Sequence, residues 1–244
     1  MLNIAGCIIN EHDLSLVIVA GIICMLASHT SFSLLHRAMQ QQSSQRHLWL
    51  AAAAVAMGGG VWATHFVAMV AYRTPLLTGY DLPLTVLSAA LAIGFSGLGL
   101  WLALAGLRVL GGAVAGAMIA AMHYTGMAAS EGWFTIQWDH GYVAASIVIG
   151  IGLSALAFSL LPRADGLRGR TVVVTLFVLA ICGLHFTGMT GATLEFDPLA
   201  RPDGASGLAR HSLAVVVAAV TALLLGIGMV SAIVDGYLAD RNAL

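Results

Sequence analysis

Seven stretches of this chain are long enough and apolar enough to cross a lipid bilayer as helices. Such a helix needs about 20 predominantly apolar residues. Only 9% of the 244 residues are charged, whereas soluble domains have roughly 25%. The predicted spans are residues 14–36, 48–72, 83–107, 109–130, 141–161, 171–193 and 211–235. The sequence therefore predicts an all-α integral membrane protein, with residues 1–244 forming a single seven-helix domain.

The arginines are divided unevenly between the two sides of this predicted bundle. Basic residues in short loops favour the cytoplasmic side of a membrane. With the N-terminus outside, the inner arginines are Arg37, Arg46, Arg108, Arg163, Arg168, Arg170 and Arg241, and the outer ones are Arg73, Arg201 and Arg210. We therefore predict an external N-terminus and a cytoplasmic C-terminus.

One short pattern occurs three times: histidine, an aromatic residue, valine or threonine, alanine or glycine, and methionine. The copies are residues 65–69, 123–127 and 185–189. Their histidines are 58 and 62 residues apart, a period that fits an internal repeat of two helices with their loops. Residues four apart lie on one helix face, so each copy presents an imidazole and a thioether in the same direction. The paired side chains are His65 and Met69, His123 and Met127, and His185 and Met189.

The three copies are predicted to lie at the same depth in the membrane. Each motif methionine comes four to six residues before a charged residue, Arg73, Glu131 or Glu195. At 1.5 Å per helical residue, all three motifs lie within about two turns of the outer surface. If the second, fourth and sixth helices face a common centre, three imidazoles and three thioethers form one site.

A purely structural explanation of the repeats is available. Gene duplication could preserve the pattern, and the small residues Ala68, Gly126 and Gly188 favour close helix packing whatever the function. However, ionisable side chains inside a membrane are costly and usually mark a functional site. Packing alone would also not require methionine at one fixed position. We therefore favour a ligand-binding role.

The types of donor atom in the motif indicate copper. Imidazole and thioether without carboxylates suit copper, and methionine favours Cu(I), whereas zinc more often recruits cysteine or carboxylates. Cys182 lies three residues before His185 and is a possible further ligand, although packing is its usual role. Haem held between two of the histidines is an alternative cofactor, and a metal or proton transporter is an alternative function. A retinal protein is excluded because the chain has no lysine.

The three motifs on alternate helices, with Met122-His123-Tyr124-Thr125 in the middle copy, resemble the MHYT domain of bacteria. Residues 50–71, which contain Met57-Gly58-Gly59-Gly60-Val61-Trp62, are also similar to that family, and the resemblance covers about residues 13–235. It implies a multi-pass sensor domain of the bacterial inner membrane. It also implies a copper site built from the motif histidines and methionines, and a role in sensing O₂, CO or NO.

Two features depart from the family pattern. The leading methionine of the family motif is replaced by Thr64 in the first copy and by Leu184 in the third. Of these three leading positions, only Met122 is a possible extra ligand. Such domains commonly precede diguanylate cyclase, phosphodiesterase or histidine kinase modules. Only nine residues follow the last predicted span. We therefore expect a non-enzymatic sensor, either part of a longer protein or free-standing, that acts on a cytoplasmic output module, with a homodimer as a candidate assembly.

The remaining histidines receive structural interpretations. His12, His140 and His211 are predicted to be boundary residues near the outer surface, with passage of a cation inward as the less favoured alternative. His29 is predicted to be a core histidine that lies too deep to join the motif layer. Gly112 and Gly116 have the spacing of a close-packing helix face. No basic run indicates binding to nucleic acid.

Overall fold

The computed structural model contains a bundle of long helices and describes residues 2–41, 44–163, 166–200 and 207–242. The α-helices in these ranges are α1 Leu2–Asn10, α2 Leu14–Gln40, α3 Ser44–Ala71, α4 Leu82–Leu104, α5 Arg108–Ala128, α6 His140–Ser159, α7 Gly166–Thr190 and α8 Arg210–Asn242. Each of α2–α8 contains a segment long and apolar enough to span a membrane. The seven predicted spans are therefore confirmed. The N-terminal helix α1 was not predicted, because nine residues are too few to give a clear periodicity.

Aspartates fix where three of these helices begin. The Oδ1 atom of Asp13 accepts a hydrogen bond from the Ser15 amide, at 2.9 Å. Asp81 accepts from the Leu84 amide and Asp139 from the Gly141 amide in the same way. A side-chain oxygen at this position satisfies an amide that has no partner within its own helix. The amides of the three aspartates donate to carbonyl groups at the ends of α3, α5 and α7, so α2, α4 and α6 all begin at the same end of the bundle.

Short strands cover that end, which we call the sheet end. They are β1 Leu77–Asp81, β2 Ser130–Gly132, β3 Phe134–Trp138, β4 Ala192–Phe196 and β5 Gly207–Ala209. All pairings are antiparallel, in the orders β2-β1-β5 and β3-β4. These strands lie largely between the predicted spans, and the sequence did not predict them. In β3 the residues alternate between more buried and exposed, the period of a strand, but five residues are too short a run to be distinctive.

The helices form two groups with different environments. In α3, α5 and α7, 83%, 56% and 56% of the apolar segment is buried, against 18–33% in α2, α4, α6 and α8. We call the first group the inner helices and the second the peripheral helices. Large apolar side chains of the peripheral helices, such as Ile18, Val86 and Val148, are exposed and are positioned to contact lipid. The helices that carry the motifs are therefore those at the centre.

Gly112 and Gly116 allow α5 to approach α6 closely. A Cβ atom on Gly116 would lie 2.5 Å from the Cα of Ile151, and one on Gly112 would lie 2.5 Å from the carbonyl oxygen of Ser154. Real side chains do not tolerate such distances to backbone atoms, so only glycine fits. The close-packing face predicted from the glycine spacing is confirmed.

Which end of the bundle faces the cytoplasm stays a prediction. Arg201 lies outside the described residues, and the side chains of Arg210, His211 and Arg241 are likewise not described. In the predicted orientation the sheet end faces outward.

Candidate metal centre

The three motif histidines meet in the middle of the bundle, and we call them the trihistidine cluster. The Nδ1 atom of His65 lies 3.3 Å from that of His123 and 3.4 Å from that of His185, and the remaining Nδ1 pair is 3.4 Å apart. All three residues are buried. The predicted convergence of His65, His123 and His185 is therefore confirmed.

The inner helices bring these rings together at one depth. Each histidine lies within six residues of the end of its helix, and all three helices end at the sheet end. The ring centroids are 5.1–5.4 Å apart, and the ring planes cross at 78–85°. Three rings in this arrangement direct one nitrogen each toward a common point.

The three Nδ1 atoms cannot satisfy one another by hydrogen bonding alone. A neutral imidazole nitrogen either carries a proton or offers a lone pair. With three atoms and two states, at least two atoms must be of the same kind, and every pair is within 3.4 Å. At least one pair then brings two lone pairs or two N–H groups together. A cation between the nitrogens removes the conflict, because all three can then present lone pairs.

A metal ion fits the dimensions of this triangle. The centre of an equilateral triangle with 3.4 Å sides lies about 2.0 Å from each corner, which matches the metal–nitrogen distance of about 2.0 Å. His65, His123 and His185 are also the group of possible metal ligands found among the described histidines, cysteines and acids.

The small residue of the motif makes room for the ring of the neighbouring copy. A Cβ atom on Gly126 would lie 2.5 Å from Nε2 of His65, and one on Gly188 would lie 2.8 Å from Nε2 of His123. In the first copy the position is Ala68, which lines a cavity beside the cluster. All three small residues were predicted to favour helix packing. In the structure, Gly126 and Gly188 also determine where the imidazoles lie.

The Nε2 atoms of the cluster, which face away from its centre, lack the hydrogen bond that most metal-binding histidines make. Such histidines usually donate their second N–H group to a carboxylate or carbonyl. Within the described ranges, Nε2 of His65, His123 and His185 is buried without a hydrogen-bond partner. Each unsatisfied buried group costs about 1–3 kcal/mol. On the Nε2 side, the rings are therefore held by packing rather than by hydrogen bonds.

An apolar layer lies on the side of the cluster away from the sheet end, and a small cavity lies beside the cluster. One turn before each histidine stand Val61, Ile119 and Ile181, all buried. They line a cavity of about 50 Å³, together with Met122 and Cys182. The Cys182 thiol also makes a hydrogen bond with Cys24 of α2. The two possible extra ligands therefore border the site.

The motif methionines lie one turn from the histidines toward the sheet end. Met69, Met127 and Met189 are all buried, but none lines the cavity of about 50 Å³. Met189 instead lines a second, polar cavity of about 610 Å³ at the sheet end. Ligation by these sulfur atoms stays a prediction.

His12 is a fourth histidine next to the cluster. From the sequence it was predicted to be a boundary residue near the outer surface. It is completely buried, and its ring centroid lies 6.3 Å from that of His185. It belongs to no repeat, so no periodicity could reveal it. The other candidates do not join the site: His140 is exposed, and His29 is exposed on α2 rather than in the core.

Comparison with known proteins agrees with this architecture. A model of the MHYT repeat, described as the bacterial signalling protein N terminal repeat, matches residues 58–116 and 116–174. Both matches begin seven residues before a motif histidine. The chain belongs to the MHYT family. With its seven apolar helices, this MHYT protein is a multi-pass protein of the bacterial inner membrane.

Its relatives include signalling proteins of several bacteria. It is 35% identical to an uncharacterized signaling protein of Caulobacter vibrioides, over 98% of this chain and 30% of that protein. It is also 35% identical to the bifunctional diguanylate cyclase/cyclic di-GMP phosphodiesterase MucR of Pseudomonas aeruginosa, over 97% of this chain and 36% of MucR. The cyclic di-GMP phosphodiesterase NbdA of the same organism is 36% identical over 74% of this chain and 24% of NbdA. The chain therefore spans about a third or less of these relatives, and no solved structure matches it.

Proposed function

We propose that this MHYT domain holds one copper ion on the Nδ1 atoms of His65, His123 and His185 and uses it to sense a diatomic gas or the redox state. The observation that carries the proposal is the triangle of Nδ1 atoms with sides of 3.3–3.4 Å. This arrangement leaves a conflict between nitrogens without a cation, and its centre has the right size for one.

Charge and donor type favour Cu(I) over zinc. The cost of burying an ion rises with the square of its charge, and ions are expensive to transfer into a low-dielectric interior. The described cluster offers neutral nitrogen atoms and no carboxylate or thiolate to offset a double charge. A monovalent ion therefore suits these ligands better. Met69, Met127 and Met189 would add soft donors that favour Cu(I) further.

The cavity beside the cluster suits a small apolar ligand. A water molecule needs a probe-occupied volume of about 10–15 Å³, so a cavity of about 50 Å³ has room for O₂, CO or NO. Val61, Ile119 and Ile181 exclude bulk water from this side. A bound copper ion would supply an open coordination position and a one-electron redox couple.

The signal would then travel through the helices to a cytoplasmic output module. The printed names of MucR and NbdA include cyclic di-GMP activities, and we propose an output of that kind, or a histidine kinase, for this protein. The inner helices connect the trihistidine cluster to the opposite end of the bundle, so a shift of the rings can change helix packing there. α8 continues toward the same end.

The apolar layer argues against a transport path. A proton or metal path needs polar groups through the depth of the bundle. Directly beyond the cluster, however, the three inner helices present Val61, Ile119 and Ile181. A sensing site at one depth is therefore better supported than transport.

Metal analysis and a visible spectrum of the purified chain in lipid nanodiscs test the proposal. We expect one copper per chain. CO added to the reduced protein should bind at the open position of the metal and give a C–O stretching band in the infrared spectrum. A Soret band would instead identify haem, which the small cavity volume disfavours. Protein that takes up neither metal nor haem would leave the histidines with a purely structural role.

A further inference from the structure

The tautomer of the His12 ring follows from a hydrogen bond that the ring makes. Its Nδ1 lies 2.9 Å from the carbonyl oxygen of Cys7. A carbonyl oxygen can only accept, so Nδ1 donates and carries the proton. In the neutral ring Nε2 then offers a lone pair. This atom is buried and has no hydrogen-bond partner in the part of the chain that the structure describes.

The backbone holds this imidazole firmly at the edge of the trihistidine cluster. On either side of His12, the amide of Asp13 donates to the carbonyl of Ala71 and the amide of Arg73 donates to the carbonyl of Glu11, at 2.9 and 2.7 Å. The ring packs against Phe186 at a centroid distance of 5.5 Å. Its distance of 6.3 Å from His185 exceeds the 5.1–5.4 Å within the cluster. His12 therefore lies beside the triangle and not over its centre.

The neighbours of His12 line the sheet-end cavity. Cys7, which accepts its hydrogen bond, Glu11, which precedes it, and Tyr72, whose ring lies 5.2 Å away, all border this space. Met189, one turn from His185, borders it too. His12 therefore lies between neighbours that carry sulfur and oxygen donors at the cavity and the ring of His185 in the cluster.

The protonation states of these groups suit transient rather than tight binding. Burial and the nearby Glu11 raise the pKa of the Cys7 thiol to about 12, and similar causes raise the pKa of Tyr72 to about 12. Both groups are neutral at pH 7 and bind metal weakly. His12 donates through Nδ1, so its Nε2 carries a lone pair that can bind metal.

We propose that His12 passes a soft d-block cation, such as Cu(I), from the sheet-end cavity to the trihistidine cluster. The lone pair of Nε2 takes the cation from weak donors in the cavity. The three Nδ1 atoms then take it from His12, because three nitrogens at one point bind more strongly than one. This inference rests on the proposed function, since it requires a metal at the cluster.

The test compares copper loading in three variants. Apo protein in nanodiscs receives Cu(I) from a coloured chelator, and the loss of colour gives both the rate and the final occupancy. His12→Gln can still donate to the carbonyl of Cys7 but lacks an imidazole lone pair. His12→Met loses that hydrogen bond but supplies a thioether that binds Cu(I). His140→Gln alters an exposed histidine on the same end and is the control.

We expect His12→Gln to load about tenfold more slowly, in line with the lower end of the losses known for metal-site partners. His12→Met and His140→Gln should load at the wild-type rate, and all four proteins should reach the same final occupancy. Equal rates for His12→Gln and wild type would overturn the relay, as would His12→Met loading as slowly as His12→Gln. If the wild type takes up no copper at all, the proposed function fails and the relay with it.

Discussion

The inner and peripheral helices have similar apolar character but different surroundings. Both groups are apolar enough to span a membrane, and α5, an inner helix, is the least hydrophobic of the seven. Nevertheless most residues in the apolar segments of the inner helices are buried, whereas only a third or fewer are buried in those of the peripheral helices. Hydropathy therefore identifies a span without showing its place in the bundle. The repeated histidine motif distinguishes the two groups, because buried imidazoles need partners that lipid cannot supply.

The inner helices are also organised in layers of side chains at equivalent positions. At equivalent positions they carry Val61, Ile119 and Ile181, then the three histidines, then the three methionines, and all nine side chains are buried. A substitution in these layers acts on the site. A comparable substitution on a peripheral helix acts mainly on contacts with lipid. The following variants test this difference, from the largest expected effect to the smallest.

Removing one inner histidine should abolish most metal binding. In His123→Ala one of three equivalent ligands is lost, and a site with so few ligands cannot replace it. His29→Ala removes an exposed histidine of the peripheral helix α2 and should retain wild-type copper. The measurement is metal content per chain in protein that elutes as a single species. Wild-type copper in His123→Ala would assign the motif to structure alone.

Adding one methyl group between an inner and a peripheral helix should destabilise the bundle. In Gly116→Ala the new Cβ would meet the backbone of Ile151 at 2.5 Å, and overpacking of this kind costs about 1–3 kcal/mol. Gly152→Ala on α6 is the matched control, since no atom lies within 4 Å of its added Cβ. Alanine there should be neutral or slightly stabilising. Thermal unfolding in detergent measures both, and equal midpoints would contradict the close contact.

Crowding one ring should weaken the metal site without unfolding the protein. The Cβ of Gly126→Ala would lie 2.5 Å from Nε2 of His65, so the ring must turn and Nδ1 must leave the triangle. We expect copper affinity to fall about tenfold, as when a partner of a metal ligand is lost. Competition with a Cu(I) chelator gives the affinity. An unchanged value would show that the ring can shift without moving Nδ1.

Replacing a motif methionine should change oxidation state more than occupancy. Thioethers bind Cu(I) well and Cu(II) poorly, while Met127→Leu conserves volume and should cost less than about 1.5 kcal/mol of folding stability. After loading with Cu(I) and exposure to air, the variant should give a larger or faster Cu(II) signal in electron paramagnetic resonance. Met25→Leu, at an exposed position on α2, is the control. Identical signals at equal copper content would mean that Met127 only packs around the histidines.

The sequence by itself determined the seven spans, the repeat and the shared depth of the three histidines. These are local properties: hydropathy marks a span, residues four apart share a helix face, and distance along a helix is fixed at 1.5 Å per residue. The motif therefore predicted which side chains would meet and at which end of their helices.

Only the tertiary structure decided how the site is built. Helix spacing does not specify which ring nitrogen faces the centre, nor that Gly126 and Gly188 make room for the rings of neighbouring copies. His12 reaches the cluster because two backbone hydrogen bonds join the residues that follow α1 to the end of α3. Such contacts join residues far apart in the chain through atoms of the backbone, and no periodicity or residue type encodes them.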